Sequence, residues 1–164
     1  MRIGLTCDKE VIVDPVDFEY LNQWLWFYQG NGYAARNVRA SKSRFSPMRL
    51  IYMHKLILER TIGRLLDGLE ECDHANLHKL DNQRSNLRLA TSSQNKANRP
   101  KFSGKSSKYI GVCWDKERGV WKARIKINGH STYLGRYENE REAAIVRDER
   151  AEEIFGEFAV LNFP

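Results

Sequence analysis

The sequence predicts an α+β protein of two domains, and three observations support this prediction. A length of 164 residues allows one or two small domains, and 41% hydrophobic residues supply enough apolar material for a core. Residues 99–108 contain Pro, Gly and three Ser without an apolar period, which is typical of a linker. Short strands and helices are mixed before this linker, whereas a set of strands and then one long helix follow it.

The first domain is predicted to begin with a strand and a helix. Residues 10–13 form a short, largely apolar run, and Asp14 followed by Pro15 is typical of the start of a helix. The elements predicted next are a hairpin over residues 26–28 and 33–39, and a strand that turns into a helix over residues 48–58.

The most informative stretch is residues 71–98, which read ECDHANLHKLDNQRSNLRLATSSQNKAN. Residues 72–75 and 86–90 are predicted as two strands joined by a polar loop. Thr91 and Gln94 have the spacing of a capping box, which predicts that a short helix follows. This unit would gather a carboxylate, an imidazole and two amides in one cleft, namely Asp73, His74, Asn86 and Asn95.

These residue types suit metal-assisted hydrolysis of a phosphodiester. Mg²⁺ prefers oxygen ligands, which Asp73 and the side chain of Asn95 can supply. We predict that His74 is the general base for the attacking water, and that Asn86 holds the imidazole in one orientation. By spacing alone the pattern is weak, because polar turns without any ligand role have similar compositions.

The same stretch resembles the HNH endonuclease motif, in the H-N-N form found in phage and intron homing nucleases. The matching positions are Asp73-His74, Leu80-Asp81-Asn82, Asn86-Leu87-Arg88, Ala90-Thr91, Gln94-Asn95 and, upstream, Met53-His54. The resemblance implies a ββα-metal fold over residues 70–98, a Mg²⁺ or Mn²⁺ cofactor, and double-stranded DNA as the substrate. The chain departs from the motif at residues 75–78, where Gly is usual, and at Gln83, where Arg is usual.

Two further histidines have open roles. His54 stands at the head of an apolar turn, where a structural histidine is common, and packing behind the active-site hairpin is the alternative. His78 lies in the polar loop, where it is expected to be solvated or to contact DNA.

The charge of the chain points to a polyanionic partner. The sequence has 27 Lys and Arg against 21 Asp and Glu, a net charge of +6. Residues 35–64 hold eight basic side chains and one acid (+7), and residues 96–126 hold ten basic side chains and two acids (+8). Nucleic acid is favoured over an anionic membrane, although each block alone is compatible with an ordinary solvated face. The residues predicted to contact DNA are Arg36, Arg39, Arg84, Arg88, Arg99, Arg118, Lys122, Arg124 and Lys126.

The second domain is predicted to be a three-stranded antiparallel sheet packed on one helix. Strands are expected over residues 109–114, 120–127 and 131–137, with Asn128-Gly129 as a hairpin turn. In the middle strand the basic residues Lys122, Arg124 and Lys126 alternate with apolar ones, which leaves a basic face uncovered. A helix is expected from a cap at Asn139 to Gly156, and its alanines permit close packing on the sheet.

Residues 108–164 are similar to the ethylene-response-factor (Apetala) type of DNA-binding domain. The resemblance rests on the segments YIGVCW, WKARI, YLGRY and EREAAIVRDERAEEIFGE, and on the ending Leu161-Asn162-Phe163-Pro164. It implies that the sheet reads the major groove of DNA. The plant proteins carry base-reading arginines on the first strand, where this chain has Ile110 and Cys113, so plant site specificity does not transfer.

Together these patterns predict a nuclease domain over residues 1–98, a basic linker over 99–107 and a DNA-binding domain over 108–164. We expect a monomer that nicks duplex DNA, serves homing of a phage or intron element, and acts in the cytoplasm of a bacterial host. No apolar stretch reaches the roughly 18 residues of a membrane span. The alternatives are a non-cleaving DNA-binding regulator with an inactive HNH scaffold and an RNA-binding protein, although no RNA-binding module is recognisable.

Overall fold

The structure, a computed structural model, describes residues 1–39, 41, 46–98 and 106–164. The chain forms two units, Met1–Ala90 and Thr91–Pro164, and each contains both helices and strands. This confirms the predicted α+β class. The predicted domain borders stay predictions, because most of the predicted linker lies outside the described residues.

The first unit begins with a hairpin and a helix. They comprise β1 (Arg2–Gly4), the antiparallel β2 (Glu10–Ile12) and α1 (Pro15–Asn22). Asp14 is the N-cap and Pro15 opens the helix, as predicted, since the first helical position needs no N–H donor. The Asp14 carboxylate accepts a hydrogen bond from the backbone N–H of Arg84 at 2.7 Å rather than from the helix, which ties α1 to a later loop.

Three short strands form an antiparallel sheet in this unit. They are β3 (Phe27–Tyr28), β4 (Ala34–Arg39) and β5 (Met48–Tyr52), in that order across the sheet. Strand β5 runs directly into α2 (Met53–Ile62), and this helix ends at Gly63 with a left-handed φ of 73°. The predicted hairpin and the predicted strand-to-helix transition are both confirmed.

The core of the first unit joins β2, α1 and α2. Val11, Val13, Leu21, Met53 and Ile57 are all completely buried in it. Burial of a side chain of this size contributes roughly 1.5–3 kcal/mol to stability. These three elements therefore form a fixed apolar support for the polar segment that follows in the chain.

The polar segment folds as two strands and a helix, in the predicted order. They are β6 (Glu70–His74), β7 (Leu87–Thr91), which is hydrogen-bonded to β6, and α3 (Ser92–Ala97). The predicted capping box of α3 is present, because Thr91 accepts from the backbone N–H of Gln94 and the Gln94 side chain accepts from that of Thr91.

The loop between β6 and β7 is attached to the edge of β2. The backbone N–H of Ile12 donates to the carbonyl of Leu80, and the N–H of Asn82 donates to the carbonyl of Ile12, both at 2.8 Å. These two bonds fix the path of the loop from a strand that lies some seventy residues earlier in the chain.

The second unit contains a three-stranded antiparallel sheet packed on a long helix, as predicted. The strands are β8 (Val112–Asp115), β9 (Val120–Ile127) and β10 (His130–Tyr137), with β9 in the centre, and the helix is α4 (Glu140–Phe155). Val112 and Ala123 of the sheet pack with Ala143 and Ala144 of α4, and these small side chains allow a close approach. The side chain of Asn139 caps α4 by accepting from the N–H of Arg141.

The first strand of this sheet begins later than predicted. Residues 109–111 lie outside β8, because Gly111 has a φ of 75° and Asn162 holds both backbone groups of Ile110. The Asn162 side chain accepts from the Ile110 N–H at 2.6 Å, donates to its carbonyl at 3.2 Å, and donates to the Asp148 carboxylate at 2.9 Å. Asn162, which belongs to the Leu161–Pro164 segment of the resemblance, therefore has a structural role.

Among the helices of the described residues, none has the length and apolar character required to cross a membrane.

Candidate functional site

The candidate site in the first unit lies where β6 ends and the loop over residues 75–86 begins. Asp73 and His74 are the last two residues of β6, and they are only 3% and 4% exposed. The backbone N–H of Ala75 donates to the carbonyl of Asn86 at 2.9 Å and closes the base of the loop. An acid–imidazole pair is therefore held at the end of a paired strand.

The imidazole of His74 is oriented by Asn82. Its Nε2 lies 2.8 Å from Oδ1 of Asn82, and Asn82 is completely buried. We predicted that Asn86 makes this contact with His74, and the predicted partner is wrong because Asn82 makes it. The signal that could have found Asn82 is its place in the Leu80-Asp81-Asn82 part of the motif, eight residues after the imidazole.

This contact also selects the tautomer of His74. An amide oxygen can only accept, so the hydrogen of the neutral ring lies on Nε2 and the lone pair lies on Nδ1. Nδ1 is therefore the nitrogen that can take a proton.

The surroundings of His74 favour its neutral form. Burial lowers the pKa of the imidazole, whereas the bond to Asn82 and the charges of Asp73 and Asp81 raise it, and the charge of Lys79 lowers it again. Burial has the largest effect, so the pKa lies below its ordinary value. At neutral pH the ring is uncharged and able to act as a base.

Two aromatic side chains pack against this imidazole, and a third packs against those two. The His54 ring centre lies 5.1 Å and the Tyr33 ring centre 5.8 Å from that of His74, and Tyr52 contacts both Tyr33 and His54. Of the two roles left open for His54, packing behind the site is the one that the structure has. Burial first, and then the charges of His74 and Lys55, lower the pKa of His54 to about 3.

Asn86 organises the loop rather than the imidazole. Its Oδ1 accepts from the backbone N–H of Asn76 at 2.9 Å, and its Nδ2 donates to the carbonyl of Asp81 at 2.7 Å. One side chain thus bridges both halves of the loop. In the same loop, Leu77 adopts a left-handed φ of 66° where the resembling motif usually carries Gly.

Asp73 has the donor type that a hard divalent cation requires. Its Oδ2 accepts from Nε of Arg88 at 2.9 Å. A carboxylate offers about four lone-pair sites, so it can accept more than one hydrogen bond or cation. The described residues contain no group of three or more His, Cys, Asp or Glu side chains arranged for a metal. A carboxylate such as that of Asp73 is a ligand that Mg²⁺ accepts while it keeps most of its water ligands.

Asn95 lies on α3 in the second unit and is half-buried. The capping box at Thr91 fixes the start of that helix and hence the turn on which Asn95 stands. Its role as a metal ligand stays a prediction.

Two of the arginines predicted to contact DNA are paired with buried carboxylates. Arg84 donates from Nε and Nη2 to the two oxygens of Asp17, at 2.7 and 2.8 Å, and Arg88 pairs with Asp73. Asp17 is fully buried and Asp73 nearly so, which means that both arginines also compensate an internal charge. Their DNA contacts stay predictions.

The other arginines predicted for the first domain differ in their environment. Arg36 stacks on Trp24, with its guanidinium carbon 3.9 Å from the ring centre, so it packs against the protein. Arg39 is exposed at the end of β4. Arg99, which belongs to the predicted linker, lies outside the described residues.

In the second unit, β9 presents the predicted basic face. Arg124 and Lys126 are exposed, whereas Ala123 and Ile125, which alternate with them, are buried. The strand therefore separates its charged side chains from its apolar ones, as its alternation predicts.

A nearly buried carboxylate stands within this basic face. Asp115 accepts from Nζ of Lys122 at 2.9 Å and from Nε of Arg136 at 3.4 Å, and Arg118 lies 3.7 Å away. Lys122 makes the largest contribution to holding the pKa of Asp115 below its ordinary value. This role of Asp115 was not predicted, since an acid in a basic block gives no signal of its contacts.

Known nucleases are similar to this chain. Residues 51–97 match a family model described as HNH endonuclease. The chain is also 33% identical over 142 residues to an uncharacterized HNH endonuclease of Acanthamoeba polyphaga mimivirus, and the alignment covers 87% of this chain and 68% of that relative. The matched residues include β6, β7 and the whole loop between them.

Proposed function

Since the chain belongs to the HNH endonuclease family and is therefore a nuclease, we propose that it nicks duplex DNA with His74 as the general base and with the help of a divalent cation. The observation that carries this proposal is the contact between His74 and Asn82, because it leaves the lone pair on Nδ1 of a neutral imidazole. A neutral, oriented imidazole is what a general base for water requires at neutral pH.

In this proposal His74 takes a proton from water as the water oxygen attacks the phosphorus. The new P–O bond forms as the bond to the leaving nucleotide oxygen breaks, and the departing oxygen takes its proton from solvent. Asn82 keeps the imidazole in one tautomer throughout, and the aromatic packing of Tyr33 and His54 limits its rotation.

Asp73 and Asn95 are the residues that we propose to hold Mg²⁺ or Mn²⁺. The support is the motif resemblance together with the oxygen donors of both side chains. When bound, such an ion stabilises the negative charge that develops on the phosphate.

The second unit is proposed to bind duplex DNA as an ethylene-response-factor type domain. The support is the exposed basic face of β9 and the similarity of residues 108–164 to that domain type. A sheet of this size fits the major groove. Its proposed role is to position the nuclease, since basic contacts to phosphates supply affinity rather than chemistry.

We further propose that the protein is a monomer of the homing type. One active site per chain and two unlike DNA-binding surfaces require no symmetry partner, and one site most simply cuts one strand. The homing role is supported by the motif resemblance and by the viral source of the relative. Selection of cleaved sites from randomised duplex DNA tests the homing role, because a homing enzyme should cleave one long preferred site.

Nicking of a supercoiled plasmid tests the chemistry. We expect the full chain to convert supercoiled DNA to open circles in Mg²⁺ and not in EDTA. His74→Ala should lower the rate by about 10²–10⁴-fold, the usual contribution of a general base. His130→Ala, which removes an exposed histidine at the start of β10, is the matched control and should nick at the wild-type rate.

Absence of Mg²⁺-dependent nicking on a range of plasmids would contradict the proposal and favour the non-cleaving regulator. Equal nicking rates for the wild type and His74→Ala would instead mean that the protein is a nuclease but that His74 is not its general base. Stronger binding of RNA than of duplex DNA in a competition assay would favour an RNA substrate.

A further inference from the structure

Lys79 is a cation in the active-site loop that the sequence analysis did not identify. Its Nζ donates to the carbonyl of Asn31 at 2.8 Å and lies 4.7 Å above the ring centre of Tyr33. These contacts connect the loop with the turn between β3 and β4. A flexible lysine is thereby held in one place, although its side chain is exposed.

The turn that holds Lys79 is itself well fixed. The N–H of Gly32 donates to the carbonyl of Gln29 at 2.7 Å, and the side chain of Asn31 donates to the hydroxyl of Tyr52 at 3.2 Å. Gly32 has a φ of 95°, and a Cβ added there would lie 3.2 Å from Cδ of Lys79. The lack of a side chain at Gly32 therefore leaves room for the aliphatic part of the Lys79 side chain.

The charge of Lys79 is not compensated as those of its neighbours are. Arg84 is paired with Asp17 and Arg88 with Asp73. Within the described ranges, Lys79 has no carboxylate partner, and its two contacts are an uncharged carbonyl and an aromatic ring. An ammonium has three N–H donors, and the carbonyl uses one of them, so donors remain for an anion.

Lys79 is also close to the proposed general base. Both side chains are near the ring of Tyr33, whose centre lies 4.7 Å from Nζ of Lys79 and 5.8 Å from the imidazole centre of His74. Lys79 itself lines an open pocket together with Gly30 and His78. A strand bound with one phosphate at His74 would place a neighbouring phosphate within reach of this ammonium.

We propose that Lys79 binds a DNA backbone phosphate next to the scissile one, and that Tyr33 and the turn over residues 29–33 position it. This inference rests on the proposed function, because it takes DNA as the substrate of the His74 site. Lys79 acts as a point charge on the phosphate, so a charge-preserving substitution should replace it in part.

The test measures binding and cleavage separately in the full chain. Binding of a labelled duplex is followed by fluorescence anisotropy in EDTA over a series of NaCl concentrations, and nicking is followed in Mg²⁺ under single-turnover conditions. The variants are Lys79→Gln and Lys79→Met, which remove the charge, and Lys79→Arg, which keeps it. Lys9→Gln removes an equal charge from an exposed site of the same unit and is the matched control.

Lys79→Gln and Lys79→Met should each weaken binding about five-fold and lower the slope of log K against log [salt] by about 0.9, the loss of one phosphate contact. Lys79→Arg should keep the wild-type slope. Lys9→Gln should leave the slope unchanged, and urea unfolding should show that all variants are folded. A purely structural role of Lys79 would change stability and not the slope.

Wild-type slopes in both Lys79→Gln and Lys79→Met would overturn the inference, as would an equal loss in Lys9→Gln or a wild type that binds no duplex. A wild type that binds DNA without nicking it would refute the proposed function alone. The binding series in EDTA would then still decide the role of Lys79.

Discussion

Nε2 of His74 lies 2.8 Å from Oδ1 of Asn82, and both side chains are buried. Asn82 is in turn held by its backbone N–H, which donates to the carbonyl of Ile12. The orientation of the imidazole therefore depends on the edge of β2 as well as on its own strand.

Asn82→Leu should slow nicking without a comparable loss of DNA affinity. The substitution keeps the branched shape of the side chain and removes the acceptor for Nε2, so the imidazole loses its fixed orientation. Loss of such an orienting partner typically costs about 10–100-fold in activity. Single-turnover nicking with saturating protein, together with anisotropy in EDTA, separates the two effects. A full rate in this variant would show that the contact does not serve catalysis.

Asn86→Ala should act mainly through stability. Its amide bridges the N–H of Asn76 and the carbonyl of Asp81, and removal leaves both loop groups without this partner. We expect the free energy of unfolding to fall by about 2 kcal/mol. Urea unfolding of the full chain, with Asn37→Ala on the exposed part of β4 as a control, measures the loss. An unchanged midpoint would contradict the bridging role.

His54 should make the protein less stable in mild acid. Its pKa of about 3 in the fold lies below the ordinary value of 6.5, so between these values the unfolded chain binds more protons. Stability is therefore fully present above pH 6.5 and is lost as the pH falls below it. At pH 5.5 this amounts to about 1.4 kcal/mol for one histidine.

His54→Phe keeps a ring in the aromatic cluster and removes this titration. Urea unfolding at pH 7.5 and 5.5 should show a smaller loss in the variant than in the wild type, by about 1.4 kcal/mol. The same loss in both proteins would mean that His54 is not the group responsible.

The features that depend on local sequence patterns could be predicted. Alternation along β9 predicted that Arg124 is exposed and Ala123 buried, because side chains on a strand point to opposite faces. The capping box depends only on Thr91 and Gln94, which stand three positions apart, and it was predicted in the same way. The acid–imidazole pair came from a motif whose residues are contiguous.

The choice between Asn82 and Asn86 could not be made in the same way. Both amides stand in one polar loop, and their side-chain directions depend on where the backbone runs. That path is fixed by the bonds of Ile12 to residues 80 and 82, a contact between distant segments. The pair of Arg84 with Asp17 has the same origin, since 67 residues separate its members. Sequence spacing carries no record of such contacts.

Gly111 should tolerate no side chain. It has a φ of 75°, and a Cβ there would lie 2.4 Å from the carbonyl oxygen of Arg124 and 2.7 Å from Cγ of Arg147. Gly111→Ala should therefore destabilise the second unit by about 3 kcal/mol or more. Gly119→Ala is the matched control, since Gly119 also has a positive φ but open space around it, and should cost only about 1 kcal/mol. Hydrogen exchange of the β9 amides reports both losses, and equal values would refute the steric argument.

Arg124 should contribute more to DNA binding than Lys122, although they stand two positions apart on β9. Lys122 is paired with the nearly buried carboxylate of Asp115 at 2.9 Å, whereas within the part of the chain that the structure describes Arg124 has no carboxylate partner. A phosphate must therefore compete with Asp115 for Lys122. Arg124→Gln should lower the salt slope of duplex binding by about 0.9, and Lys122→Gln by clearly less. In an Asp115→Asn background the two losses should become similar, because the competing carboxylate is gone. If Lys122→Gln already equals Arg124→Gln in the wild-type background, Asp115 does not restrain the basic face.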